Sequence, residues 1–132
     1  MAAPGEGRPG ARRKRRRLSR SGEFDRVYRE GRSHATRFLV VYSFPRGAGD
    51  EGPRLGVSVG RKVGGAVDRN RVKRLLRESF WGAAGELPEG HDFVIVARPA
   101  VRELVAERGE AGMAEALREV LVGAGLAQPG QT

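Results

Sequence analysis

The residues of this chain best suited to chemistry are cations. From Gly60 to Phe80 the sequence reads G-R-K-V-G-G-A-V-D-R-N-R-V-K-R-L-L-R-E-S-F, in which Arg61, Lys62, Arg69, Arg71, Lys73, Arg74 and Arg77 face only Asp68 and Glu78. A guanidinium presents a planar fork of donors that matches phosphate oxygens, so this series points to binding a polyanion rather than to bond breaking by the protein. A second block opens the chain: Arg8, Arg12, Arg13, Lys14, Arg15, Arg16, Arg17 and Arg20 against Glu6 alone. The 132 residues carry 25 basic and 16 acidic side chains, a net charge of +9, with +7 in residues 1–20 and +5 in residues 61–78. The remainder is slightly acidic. Two discrete positive blocks suit a defined anionic partner better than a general compositional bias would.

Other chemistries find no support. With no cysteine, thiol nucleophiles, disulfide scaffolds and Cys-ligated metal clusters are excluded. His34 and His91 are far apart, and neither has a second histidine one helical turn away. Asp68 stands among arginines and Asp50–Glu51 sit in a turn, so no carboxylate cluster offers two-metal hydrolysis. No catalytic residue and no protein-bound metal is expected. Gly47, Gly49 and Gly52 match G-x-G-x-x-G but precede Pro53 and a strand, with no helix N-terminus to receive a pyrophosphate. Gly60 and Gly65 have phosphate-loop spacing, yet Ala66 and Val67 stand where Lys and Ser or Thr are required. No apolar run approaches the ~20 residues of a membrane-spanning helix, and no apolar signal stretch follows the Arg-rich start, so a cytoplasmic protein without membrane contact is expected.

The elements that must position these cations follow from periodicity. Ser21 can cap a short helix carrying Phe24, Val27 and Tyr28 on one face, stopped by Gly31. A short strand over 32–35 and an aromatic, β-branched strand over 37–44 come next, closed by Pro45. After the turn chemistry of Gly47–Pro53, Leu55, Val57 and Val59 alternate with polar or small residues, and this strand is expected to form an antiparallel hairpin with the one before it. A helix is predicted over Val67–Trp81, a strand over Phe93–Arg98, and helical spacing over Val101–Arg108 and Met113–Leu121. At about 100° per residue, Val72, Leu75, Leu76, Ser79 and Phe80 share one arc of the basic helix. Asn70, Lys73, Arg74 and Arg77 lie opposite, with Arg69 and Arg71 on the borders. An ordinary solvated helix interleaves Glu and Lys, whereas this face is nearly all cationic and repels itself unless phosphates relieve it. Asp68 is expected to cap the N-terminus of this helix. The domain reading is a disordered Arg-rich tail over 1–17, one α/β domain over 18–122 and a flexible C-terminus over 123–132.

The stretch G-V-S-V-G-R-K-V-G-G-A-V-D-R-N-R-V-K-R-L-L-R-E-S-F resembles the signature of the bacterial ribonuclease P protein component. The resemblance extends upstream to Phe24, Tyr28, Gly31 and the Arg37–Tyr42 strand, and downstream to Val94–Pro99 and the final helix. The chain departs from the pattern in its N-terminal extension, at Gly65, where a larger polar residue is often found, and in a longer stretch between Pro99 and Met113. The resemblance implies an α/β (α+β) two-layer sandwich of αβββαβα order, with a mixed sheet and a left-handed strand–helix–strand crossover against the usual hand. It implies the protein subunit of a ribonucleoprotein endoribonuclease in which RNA and Mg²⁺, held mainly by that RNA, remove the 5′ leader of precursor tRNA. The implied partners are the catalytic RNA and precursor tRNA, with no obligate protein partner. By the same resemblance Arg61, Lys62, Arg69, Asn70, Arg71, Lys73, Arg74 and Arg77 face the catalytic RNA. Phe24, Tyr28 and Tyr42 line a cleft for the single-stranded leader, where aromatic faces stack unpaired bases. A ribosomal or ribosome-assembly RNA-binding protein is the alternative from the basic residues alone.

Overall fold

The most deeply buried strand takes the middle of the sheet, with both of its faces covered. The computed structural model describes residues 16–18, 21–46 and 52–128. In chain order the elements are β1 (Arg16–Arg17), α1 (Ser21–Glu30), β2 (Arg32–Ala35), β3 (Leu39–Pro45), β4 (Arg54–Val59), a 3₁₀ turn (Arg61–Val63), α2 (Ala66–Ala83), a second turn (Ala84–Glu86), β5 (His91–Ala97) and α3 (Val101–Gly123). The sheet order is β1-β4-β5-β3-β2. Phe93, Val94 and Ile95 of β5 are fully buried.

The expected β3–β4 hairpin is not formed. Both strands pair with β5 instead, β3 antiparallel and β4 parallel, and α2 makes the β4–β5 crossover. The apolar β5 has two faces to bury and takes the place between them. The period of β5 then divides the molecule. Phe93, Ile95 and Ala97 join Leu39, Val41, Leu55 and Val59 in the main core beneath α2 and α3, while Val94 packs on the opposite face with Leu18 and Val27. The mixed α+β sandwich is present, with a refinement to its two layers: α1 stands alone on the far face.

Three further readings change. Arg16 and Arg17, assigned to the disordered tail, pair with Arg54 and Leu55, because Leu18 has an apolar site to fill and is 4% exposed; residues 1–15 lie outside the described residues. The two C-terminal helical segments are joined into α3, bent at Gly109, where φ is 55° and ψ −137°. The start of the segment assigned to a flexible C-terminus is held: Leu126 N–H donates to the Leu121 carbonyl (2.9 Å) and Ala127 is buried, while residues 129–132 lie outside the described residues. Among the described residues no helix is long and apolar enough to cross a membrane.

One polar group is buried in this framework. Asp92, 1% exposed at the start of β5, accepts hydrogen bonds from Arg54 Nε and Nη2 (both 2.8 Å) and from Arg46 Nη1 (2.6 Å). Arg54 Nη1 continues to Glu23 of α1 at 2.9 Å, and Arg46 Nη2 to the Gly52 carbonyl at 3.1 Å. Burial pushes the Asp92 carboxyl up, but the two guanidinium groups outweigh it and hold it below its ordinary value. Asp92→Asn leaves those guanidinium groups without their charge partner and should cost about 3–5 kcal/mol in urea unfolding. Since the carboxyl titrates lower when folded than unfolded, its share of stability is complete above about pH 4 and is lost as the pH falls through the folded pKa. The stability gap between the parent and Asp92→Asn should therefore close progressively below about pH 4.

Candidate nucleic-acid interface

Helix α2 buries one stripe and exposes the rest. Val72, Leu75, Leu76 and Phe80 are buried as the periodicity predicts, Ser79 is half-buried at the margin, and Trp81 extends the apolar arc. Arg61, Lys62, Asn70, Arg71 and Arg74 are exposed, and Arg69, Lys73 and Arg77 half-buried. The helix starts at Gly65, which provides no side-chain cap. Asp68 therefore does not cap: it stands in the first turn, where a carboxylate still meets the positive end of the helix dipole, and its Oδ2 lies 3.4 Å from Arg102 Nη2.

The ion-paired arginines lie outside the basic segment. Arg46, Arg54, Arg102, Arg108 and Arg118 are all ion-paired. None of the seven cations of the basic segment has an ion pair among the described residues, and the buried Nε of Arg69 has no hydrogen-bond partner there. The segment thus presents donors that the described residues leave unused.

The far face of the sheet carries the aromatic residues in a regular array. Register puts Arg54, Asp92 and Phe44 in one row across β4, β5 and β3, Gly56, Val94 and Tyr42 in the next, and Ser58, Val96 and Val40 in a third. Rows two residues apart are about 6.6 Å from one another. Glu23 holds α1 to the first row and Phe24 covers Gly56 in the second, where a Cβ would stand 2.5 Å from the ring. Tyr28 meets Tyr42 edge to face at 4.8 Å and hydrogen-bonds with Ser58 of the third row. Burial raises the Tyr28 phenol pKa, and the Ser58 bond offsets part of that. Val40, Ser58 and Val96 remain half-buried and open. Beside them a hollow of about 290 Å³ is lined by Ser58, Val96, Arg61 and Lys62 among others.

The structure therefore brings Tyr28 and Tyr42 beside the open third row, and Arg61 and Lys62 to the hollow that adjoins Ser58 and Val96 of that row. Phe24 is set deeper, packed against Leu18, Val27 and Val94. Sequence reasoning missed Ser58, Val96 and Val40 as the floor, Arg26 stacked 5.5 Å over Phe44, and the Asp92 network. Asp92 had a legible signal, an acid within the otherwise apolar strand over 91–97.

A family described as Ribonuclease P matches residues 13–121. The chain belongs to the ribonuclease P protein family. It is 46% identical over 87 residues to the ribonuclease P protein component of Clostridium acetobutylicum, covering 66% of this chain and 73% of that one. Identity to the Bacillus pumilus component is 38% over 109 residues, covering 83% and 91%. Among solved structures, the Staphylococcus aureus RNase P protein is similar with a TM-score of 0.76 at 31% identity, covering 87% of this chain and all of that one. The Thermotoga maritima protein gives 0.66 at 34% identity, covering 83% and 94%. Membership makes this chain the protein subunit of a ribonucleoprotein endoribonuclease of tRNA processing, associated with an RNA subunit, and the ribosomal alternative gains no support.

For this ribonuclease P protein, Gly56 is the residue that lets α1 approach the sheet. Gly56→Ala should cost about 1–3 kcal/mol through overpacking against Phe24. Thermal melts should show part of that loss recovered in Gly56→Ala/Phe24→Leu, where the smaller side chain makes room.

Proposed function

We propose that the basic face of α2 binds the catalytic RNA and that the open groove beside α1 takes the single-stranded 5′ leader of precursor tRNA. The observation that carries this reading is the adjacency of two complementary surfaces: unpaired cations at Arg61 and Lys62 border a half-open floor walled by Tyr28 and Tyr42. Phenol rings stack unpaired bases with little sequence preference, and the flanking cations follow the backbone. Arg69, Asn70, Arg71, Lys73, Arg74 and Arg77 extend the phosphate-binding surface along the helix. Phe24 supports the wall from beneath.

In this reading the RNA carries the chemistry. The groove offers guanidinium, ammonium, phenol and hydroxyl groups, which bind phosphates and bases but are poor general bases near neutral pH. Mg²⁺ is held mainly by the RNA, the reaction takes place in the cytoplasm, and no further protein is required. The cations of residues 1–15 add charge, and with it long-range attraction, while the domain that begins with the Arg16–Arg17 strand binds the RNA.

The division of labour is tested by cleavage of precursor tRNA. Protein alone should leave the substrate intact, whereas adding it to ribonuclease P RNA should restore cleavage at low Mg²⁺; efficient site-specific cleavage by RNA-free protein would refute the proposal. Arg69→Ala should weaken assembly with the RNA while circular dichroism stays unchanged. Tyr28→Ala and Tyr42→Ala preserve charge and should each cost about 1–3 kcal/mol in substrate affinity if a leader base stacks there. That loss should be confined to substrates with a leader long enough to reach the groove, and equal losses with mature tRNA would remove the leader assignment.

A further inference from the structure

Asp68 is the one carboxylate in the first turn of α2, and it does not cap the helix. Its side chain lies against Gly64, where a Cβ would stand 2.9 Å from both Asp68 Cβ and Oδ2, so a larger residue there would displace it. From that place Oδ2 lies 3.4 Å from Nη2 of Arg102, near the start of α3. The contact locates the Arg102 guanidinium in the fold: it stands beside the first turn of α2, at the edge of the basic segment.

The pair makes a weak claim on Arg102. At 3.4 Å it is longer than an N–H···O hydrogen bond, and with the two side chains 63% and 46% exposed, water screens it. By contrast Arg108 and Arg118, further along α3, each meet both oxygens of one carboxylate, those of Glu115 and Glu86. Arg102 forms no side-chain hydrogen bond among the described residues, so its five N–H donors are open to another acceptor.

Arg102 shares its surroundings with a cation of α2. Arg71 and Arg102 line one hollow of about 160 Å³, together with Asp68, Val72, Val105 and Ala106. Two guanidinium groups outweigh one carboxylate there, and Val72, Val105 and Ala106 add apolar surface. Forked donors beside apolar surface suit a sugar–phosphate unit. We propose that Arg102 binds a phosphate of the catalytic RNA beside Arg71, so that the RNA-binding surface crosses from α2 onto the start of α3. The inference rests on the reading of α2 as the RNA-binding face, and it adds a residue that lies outside the basic segment.

Affinity of the full chain for in vitro transcribed ribonuclease P RNA, measured against salt, tests this. Arg102→Ala should make the slope of log K against log salt shallower by about 0.7–0.9, the loss of one phosphate contact. Arg102→Gln, which keeps most of the stem, should do the same with an unchanged circular dichroism spectrum. Arg118→Ala removes the same charge from the same helix and should leave the slope as it is in the parent. The deciding background is Asp68→Asn. Were Arg102 present only to neutralise Asp68, its removal would have no effect there, whereas a phosphate contact is lost in either background. An effect of Arg102→Ala that disappears in Asp68→Asn, or an unchanged slope in the parent, would overturn the proposal. Arg71→Ala distinguishes the two levels of the reading: no effect of that variant would remove α2 as the RNA-binding face, while a shallower slope with Arg71→Ala and none with Arg102→Ala would remove the extension onto α3 alone.

Discussion

The buried carboxylate of Asp92 is the point from which the functional face of this protein is laid out. An ionised group this deep is tolerated because two guanidinium groups, one of them bidentate, satisfy it. Arg54 in turn holds Glu23, so the start of α1 is tied to the first row of residues on its face of the sheet. Phe24 is the next residue and Tyr28 lies one helical turn beyond it, and their positions over Gly56 and beside Ser58 follow from that anchor. The open third row is what α1, so placed, leaves uncovered. The groove is thus a consequence of where a helix is held.

The arginines divide by environment. Arg46, Arg54, Arg102, Arg108 and Arg118 are matched with carboxylates, whereas the cations on α2 are gathered on a helix surface where like charges repel. Such a helix persists because its stability comes from the other side: Val72, Leu75, Leu76 and Phe80 are all within the main core. The core bears the cost of a face whose like charges repel one another. Membership of the ribonuclease P protein family, whose protein associates with an RNA subunit, fits that arrangement.

Much of this was legible in the residues themselves. The type and approximate extent of α1, α2, β2, β3 and β5 followed from periodicity, because each side chain's fate depends on near neighbours a few positions away. The two halves of α3 were visible as separate segments because Gly109 interrupts the pattern. The identity of the basic face of α2 needed only the repeat of the helix. The signature from Gly56 to Phe80 also carried the family, since its residue types sit at spacings one helix and one turn impose.

What the residues could not reveal was decided by pairings between distant segments. Whether β4 lies against β3 or β5 depends on which strand best buries both faces, a comparison made across the whole sheet rather than along the chain. The rows that join Ser58, Val96 and Val40 exist only once that order is set, so the groove floor had no local signal. The strand at Arg16–Arg17 arose because Leu18 found a site beneath α1, although its own neighbours are charged. Local sequence determined which faces were apolar and which cationic. Tertiary packing alone determined what those faces met, because burial is a property of contacts between elements far apart in the chain.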